Sequence, residues 1–289
     1  MPHGGGAMTM TGRPGAGPFT ERTPRVAAAR KLTRRRERDT RRSFLAEGAQ
    51  AVREALAYGE VGAVFATEAA AGRHPDLVAA AEAAGVPVHP VTDRAAAGLS
   101  ETVTPQGLVA VCAYLDVPAV PPAARLVAVL AEIRDPGNAG TVLRCADAAG
   151  ADAVVFTAGS VDPYHGRVVR ASAGSLFHLP VLRDADPAAT VDTLRAAGCT
   201  VLATDGHGET DLYALEAAGP AGPLAGPVAW VFGNEARGLP SDLAGHADHR
   251  VRIPIHGKSE SLNLGAAAAI CLYASARALH TSIRREAGP

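Results

Sequence analysis

Leu126-Val127-Ala128-Val129-Leu130-Ala131-Glu132-Ile133-Arg134-Asp135-Pro136-Gly137-Asn138-Ala139-Gly140-Thr141-Val142-Leu143-Arg144 decides the architecture of this chain. Its first part is a nearly unbroken apolar run, the composition of a strand buried on both faces. Pro136-Gly137 then turns the backbone, and Asn138 is of the residue type that starts helices. A buried strand that turns straight into a helix is the repeating unit of a parallel sheet. The unit recurs downstream. Strands are expected at 126–133, 153–157, 179–182, 199–203, 228–232 and 249–253, and helices at 138–149, 187–197 and 261–280. This alternation predicts an α/β fold, a parallel sheet with helices on both faces.

Immediately upstream, Asp116-Val117-Pro118-Ala119-Val120-Pro121-Pro122 interrupts regular structure, because each proline removes a backbone donor and restricts its predecessor. Residues 116–124 are expected to be a linker between a C-terminal domain over 125–289 and a smaller α/β unit over 24–115. In the smaller unit a helix is expected through Phe44-Leu45-Ala46-Glu47-Gly48 and on over 51–56, with another at 75–84. Strands are expected there at 61–66, 86–88 and 107–114. Residues 1–23, rich in Gly and Pro, are expected to form a disordered tail and not a signal peptide.

The 289 residues are 47% hydrophobic but only 4% aromatic, so the cores must be built from Ala, Val and Leu. Charges, Gly or Pro interrupt every apolar stretch before it could span a membrane. Cys112, Cys145, Cys199 and Cys271 lack metal-site spacing, which speaks against a zinc site or a disulfide framework and for reduced thiols in a cytoplasmic protein. No metal is expected. The net charge of −1 conceals an asymmetry: the first sixty residues hold 12 Lys/Arg against 6 Asp/Glu, the remainder 16 against 23. Arg30, Lys31, Arg34, Arg35, Arg36, Arg38, Arg41 and Arg42 supply most of that excess. Such a block fits a phosphate-backbone contact, or else a solvated basic helix face.

Ligands of open parallel sheets bind beyond the carboxyl ends of the strands. Three strand exits here carry dense polar and glycine content: 134–144, the stretch Val231-Phe232-Gly233-Asn234-Glu235-Ala236-Arg237-Gly238-Leu239, and Ile253-Pro254-Ile255-His256-Gly257-Lys258-Ser259-Glu260-Ser261-Leu262-Asn263. Taken singly, each has an ordinary reading. Asn138 or Ser261 could cap a helix, Arg144 could pair with a surface carboxylate, Glu235 with Arg237 could form an exposed turn, and His256 could be a plain loop residue. Their order, each at a strand exit, is the specific signal.

Together with Arg167-Val168-Val169-Arg170-Ala171-Ser172-Ala173-Gly174-Ser175-Leu176-Phe177, these stretches resemble the motifs of the SpoU (TrmH-like) family of RNA ribose 2′-O-methyltransferases. Leu99-Ser100-Glu101-Thr102-Val103-Thr104-Pro105-Gln106-Gly107 resembles the end of that family's N-terminal substrate-binding domain. The resemblance runs over about residues 24–283. Leu264-Gly265 departs from it, standing where the family more often has a small β-branched residue and a serine.

The resemblance implies a deep trefoil knot near Phe232-Gly233, an L30e-like RNA-binding domain ahead of it, a homodimer formed through the knot region, and S-adenosylmethionine as cofactor. The absence of a G-x-G-x-x-G after any strand agrees, since it sets the chain apart from Rossmann cofactor sites. By the same resemblance Phe232, Gly233, Asn234, Ile253 and Leu262 would hold the cofactor, largely through backbone. Arg144 would orient the phosphate beside the target ribose and stabilise the forming alkoxide. A guanidinium ordinarily keeps its proton, which makes arginine a poor general base. Asn138, Glu235, Ser261 and Asn263 would position Arg144, the ribose and the cofactor, while Arg30, Lys31, Arg34, Arg35, Arg38 and Arg41 would grip RNA. The two-domain layout resembles members that modify 23S rRNA, among them thiostrepton- and avilamycin-resistance methyltransferases. Transfer RNA is the alternative substrate, and non-catalytic RNA binding or ribosome assembly the alternative role.

Overall fold

The computed structural model describes residues 17–234, 237–239 and 241–286. The chain divides into two compact units between Tyr114 and Leu115. In the first, strands β1 (Ser43–Glu47), β2 (Val61–Ala66), β3 (Val88–Pro90) and β4 (Leu108–Ala113) form one sheet in the order β1-β4-β2-β3. β4 is antiparallel to both neighbours, and β2 is parallel to β3. Helices α1 (Pro24–Arg30), α2 (Arg35–Arg41), α3 (Ala49–Tyr58), α4 (Glu68–Arg73), α5 (Pro75–Ala83) and α6 (Asp93–Ala97) complete this unit.

The helix expected through Phe44 is a strand. Phe44, Leu45 and Ala46 are all buried and pair with Cys112, Val111 and Ala110 of β4. Long-range pairing overrides the local helix propensity of Leu-Ala-Glu, and α3 begins only at Ala49. The third strand lies at Val88–Pro90, not at 86–88. The expected tail is also partly structured: the Phe19 N–H donates to the Pro90 carbonyl (2.7 Å) and the Thr92 N–H to the Phe19 carbonyl (3.0 Å). Residues 1–16 lie outside the described residues.

The second unit holds seven strands: β5 (Leu126–Leu130), β6 (Ala153–Thr157), β7 (Val181–Ala185), β8 (Thr200–Thr204), β9 (Thr210–Asp211), β10 (Val228–Phe232) and β11 (His249–Arg252). They lie in the order β7-β6-β5-β10-β8-β11-β9, and every neighbouring pair is parallel. The helices are α7 (Pro136–Ala148), α8 (Gly166–Ala171), α9 (Pro187–Ala196), α10 (Leu212–Ala217), α11 (Ser241–Gly245) and α12 (Leu264–Glu286). β5, β6 and β10 are buried along their whole length, as expected for strands covered on both faces. Alternate residues serve opposite cores. Val127, Val129, Val155, Ala229 and Val231 pack with Val191 and Leu194 of α9 and with Leu243 of α11. On the other face Trp230 Nε1 donates to Ser275 Oγ of α12 (2.8 Å), and both residues are fully buried.

Several boundaries differ from expectation, each for a local reason. β5 stops at Leu130 and not at 133: Glu132 takes φ 54°, a left-handed conformation that a ladder cannot continue. α7 begins at Pro136, capped by Asp135, whose Oδ1 accepts from the Asn138 N–H (2.7 Å); Asn138 is therefore inside the helix and not its cap. α12 begins at Leu264 and not at 261, because Asn263 is the cap: its Oδ1 accepts from the N–H groups of Gly265 (2.9 Å) and Ala266 (3.4 Å). The expected linker starts as part of the sheet edge. Asp116 bridges in parallel to Val181, and its carboxylate lies 3.5 Å from Arg183 Nε and accepts from the Tyr164 hydroxyl (3.3 Å). Among the described residues no helix is long and apolar enough to cross a membrane.

Candidate active site

β10 sits between β5 and β8, so the sheet changes winding direction there, the position at which parallel α/β sheets take ligands. A cleft of about 440 Å³ opens at that point, a size typical of small-molecule sites. Its lining comes from the carboxyl ends of neighbouring strands: Thr204, Asp205 and Gly206 after β8, Gly233 and Asn234 after β10, Val251 and Ile253 at β11. The segment from Glu260 to Leu264 and Asn138 of α7 close it. Ile255 and Leu262 are each 38% exposed, so two apolar side chains face solvent beside polar loop ends. Apolar surface for a flat ring and strand-end polar groups for a sugar or a charged tail suit a nucleoside-like ligand. The cleft thus fits the expected cofactor.

Two asparagines tie the cleft together. Asn263 Nδ2 donates to Asn138 Oδ1 (3.0 Å), while Asn263 Oδ1 holds the first turn of α12. Two helix beginnings distant in sequence are thereby locked side by side. Gly265 explains the departure from the family pattern at that junction. A Cβ there would come within 2.6 Å of Thr141 Cγ2, so the glycine lets α7 and α12 approach. Ser261 also lines the cleft; its side chain is exposed, and its carbonyl accepts from Ser259 Oγ (2.8 Å), which stiffens the turn.

The loop after β10 is equally constrained. The Asn234 N–H donates to the Gly238 carbonyl (3.1 Å), and the Gly238 N–H returns the bond to Asn234 (2.8 Å). Asn234 Nδ2 donates to the Glu132 carbonyl (3.0 Å), and its Oδ1 accepts from the Arg237 N–H (3.2 Å). The side-chain amide of Asn234 therefore braces the loop against the left-handed Glu132, leaving its main chain at the cleft wall. A Cβ on Gly233 would lie 2.7 Å from both the Gly238 carbonyl carbon and the Leu239 nitrogen. Only glycine fits between these backbones. Phe232, expected to touch the cofactor, does not line the cleft: it is fully buried, and its carbonyl accepts from the Ala131 N–H (2.8 Å). Glu235 lies outside the described residues.

Arg144 is exposed on α7 and does not line the cleft that Asn138 lines. Six residues of helix separate them, which turns their side chains roughly 120° apart and about 9 Å along the axis. Among the described residues no ion pair joins it to a carboxylate. The neighbouring Cys145 thiol is pushed up by burial, against the opposing pull of the Arg144 guanidinium. That thiol stays protonated and is no nucleophile.

In the first unit the basic block is not uniform. Arg30, Lys31, Arg34, Arg35 and Arg41 are exposed, with Arg35 facing Asp39 (3.7 Å) and Arg41 facing Glu37 (3.4 Å). Arg38 differs. It is 3% exposed, and its Nη1 donates to the carbonyls of Leu32 and Thr33 (3.0 Å each), so it holds the α1–α2 turn and cannot serve as a phosphate contact. The sequence reading also missed the exit of β8. Thr204-Asp205-Gly206 carries the polar, glycine-rich signature used at the other exits, so that signal was available. Among the described residues no His, Cys, Asp and Glu side chains gather in a group that could hold a metal ion.

Residues 125–273 match the model of the SpoU rRNA Methylase family, and residues 23–110 match the MRM3-like substrate binding domain. The 23S rRNA (guanosine(2553)-2′-O)-methyltransferase RlmP of Bacillus subtilis is 34% identical over 246 residues, covering 84% of this chain and 92% of that protein. An AdoMet-bound rRNA methyltransferase from Sinorhizobium meliloti superposes with a TM-score of 0.74 at 32% identity, over 88% of this chain and 95% of its own. The AviRb SpoU methyltransferase of Streptomyces viridochromogenes, in complex with AdoMet, superposes with a TM-score of 0.75 at 27% identity, over 93% of this chain and 100% of its own. A family match over more than half the chain, the strand-exit cleft and the Asn138–Asn263 lock lead to one statement: this chain belongs to the SpoU rRNA Methylase family.

Proposed function

We propose that this chain transfers the methyl group of S-adenosylmethionine to a ribose 2′-hydroxyl of 23S rRNA. The observation that carries the reading is the convergence of the loops after β8, β10 and β11 on one cleft closed by Asn138 and Asn263. When bound, the cofactor supplies a sulfonium methyl, already a strong electrophile. The protein's task is then to orient a weakly acidic hydroxyl and to stabilise its oxygen as the proton leaves. The main chain around Gly233, Asn234, Ile253 and Leu262 holds the cofactor. Asn138, Ser261 and Asn263 position the reacting groups, with Glu235 assigned beside them from the sequence. Arg144 lies off the cleft, where it can hold the phosphate next to the target ribose and place a cation near the forming alkoxide. Exposed Arg30, Lys31, Arg34, Arg35 and Arg41 of the first unit supply phosphate contacts.

The same reading includes a trefoil knot, supported by the insertion of β10 between β5 and β8 and by the return of the α12 start to the loop after β10 at one cleft. It includes a homodimer, for which the exposed Ile270 and Tyr273 of α12 offer an apolar face, and a cytoplasmic location alongside the ribosome.

Ribose-methylation mapping of RNA from cells with and without this gene tests the reading. One 2′-O-methyl mark in 23S rRNA is expected to disappear with the gene. A change confined to transfer RNA overturns the substrate, and no change in any RNA overturns the activity. For the cofactor site, Gly233→Ala is expected to weaken S-adenosylmethionine binding by roughly 5- to 150-fold, since overpacking against backbone costs about 1–3 kcal/mol. Isothermal titration calorimetry reads this, and an unchanged affinity would remove Gly233 from the site.

A further inference from the structure

β9 and β11 are parallel neighbours, with Val251 opposite Thr210 and Arg252 opposite Asp211. Whatever follows each strand therefore emerges on the same side of the sheet, the side of the cleft. Tyr213 comes two residues after Asp211, and its N–H is held by the Asp211 carboxylate (2.8 Å). His256 comes next to Ile255, which lines the cleft. The Tyr213 and His256 rings stack, with centroids 6.1 Å apart and planes within 13°. Neither ring belongs to a core: Tyr213 is 51% exposed and His256 is exposed. In a chain with only 4% aromatic residues, this exposed stacked pair stands beside the cleft-lining Ile255.

Two arginines face three of the carboxylates nearby: Arg252 faces Asp211 (3.3 Å), and Arg250 is shared between Glu209 (3.0 Å) and Asp205 (3.7 Å), while Glu260 lines the cleft. Lys258, exposed two residues beyond His256, adds a positive group to the same loop. Flat aromatic faces beside a cation are features that bind unstacked bases of single-stranded RNA.

We propose that Tyr213 and His256 form a stacking platform for a nucleobase of the RNA substrate, flanking the nucleotide whose ribose enters the cleft. This rests on the RNA-methylation reading above. The pair positions substrate and takes no part in bond making, so its loss should appear in KM and not in cofactor affinity.

Steady-state methylation of a 23S rRNA fragment is to be compared for the wild type, Tyr213→Ala, Tyr213→Phe and His256→Ala, with S-adenosylmethionine affinity measured by calorimetry on each. Tyr213→Ala and His256→Ala are expected to raise KM for RNA roughly 5- to 100-fold, and Tyr213→Phe by no more than about twofold, because the ring face carries the contact. Cofactor affinity is expected to stay at the wild-type value. Unchanged KM in both alanine variants overturns the platform. A parallel loss of cofactor affinity also overturns it, by assigning the pair to the cofactor wall. Wild-type protein that methylates no RNA refutes the methylation reading; fluorescence anisotropy of the same rRNA fragment with wild type and Tyr213→Ala then decides the platform separately, equal affinities refuting it.

Discussion

Arg144→Ala is expected to lower kcat for RNA methylation by about 10²- to 10³-fold, the scale of removing one preorganised group aimed at developing charge. S-adenosylmethionine affinity is expected to be unchanged, because Arg144 does not line the cleft. The side chain is exposed and pairs with no carboxylate among the described residues, so stability is expected to hold. Arg144→Lys keeps the charge but loses the planar fork that grips a phosphate, and an intermediate rate is expected. Methylation rates measured over a range of RNA concentrations up to saturation separate kcat from KM. A full rate in Arg144→Ala would refute the assignment. A change in KM alone would reduce Arg144 to an RNA contact.

Trp230→Ala is expected to have the largest effect on stability, about 3–5 kcal/mol, the range for truncating a buried aromatic side chain. Trp230 lies in β10 with its side chain fully buried, stacks on Phe232 (centroids 6.4 Å apart), and bonds Ser275 of α12. Its removal opens a cavity between β10 and α12 and leaves the Ser275 hydroxyl without that partner. Urea unfolding followed by circular dichroism measures the loss, since Trp230 is the chain's only tryptophan and its fluorescence disappears with it. A loss below about 1 kcal/mol would contradict the packing account. β10 leads directly into Gly233 and Asn234, and α12 is preceded by Asn263, so cofactor binding is expected to weaken together with stability.

Much of the second unit was legible in its residues. β6 and β10 are short apolar runs closed by polar exits, and they lie where the pattern puts them. The strand exits at 134–144 and 253–263 were recognisable because catalysis and ligand binding need polar and glycine residues where a buried strand ends. The first unit was less legible. Phe44-Leu45-Ala46 has no period that separates a strand from a helix, and only β4, more than sixty residues later in the sequence, makes it a strand.

Site roles divide the same way. The basic block gives no sign that Arg38 is turned inward to bond the carbonyls of Leu32 and Thr33, because charge counts record no direction. Nor does the sequence show that Asn234 spends its side chain on Glu132 and Arg237, that Phe232 is withdrawn from the cleft, or that Tyr213 meets His256. By itself the sequence determined the strand–helix alternation, the family and the segments that surround the site, since these depend on composition and order along the chain. The tertiary structure decided which side chains face the cleft and which brace it. That choice depends on strand order and helix rotation, and β10 between β5 and β8 is set by packing across the whole sheet.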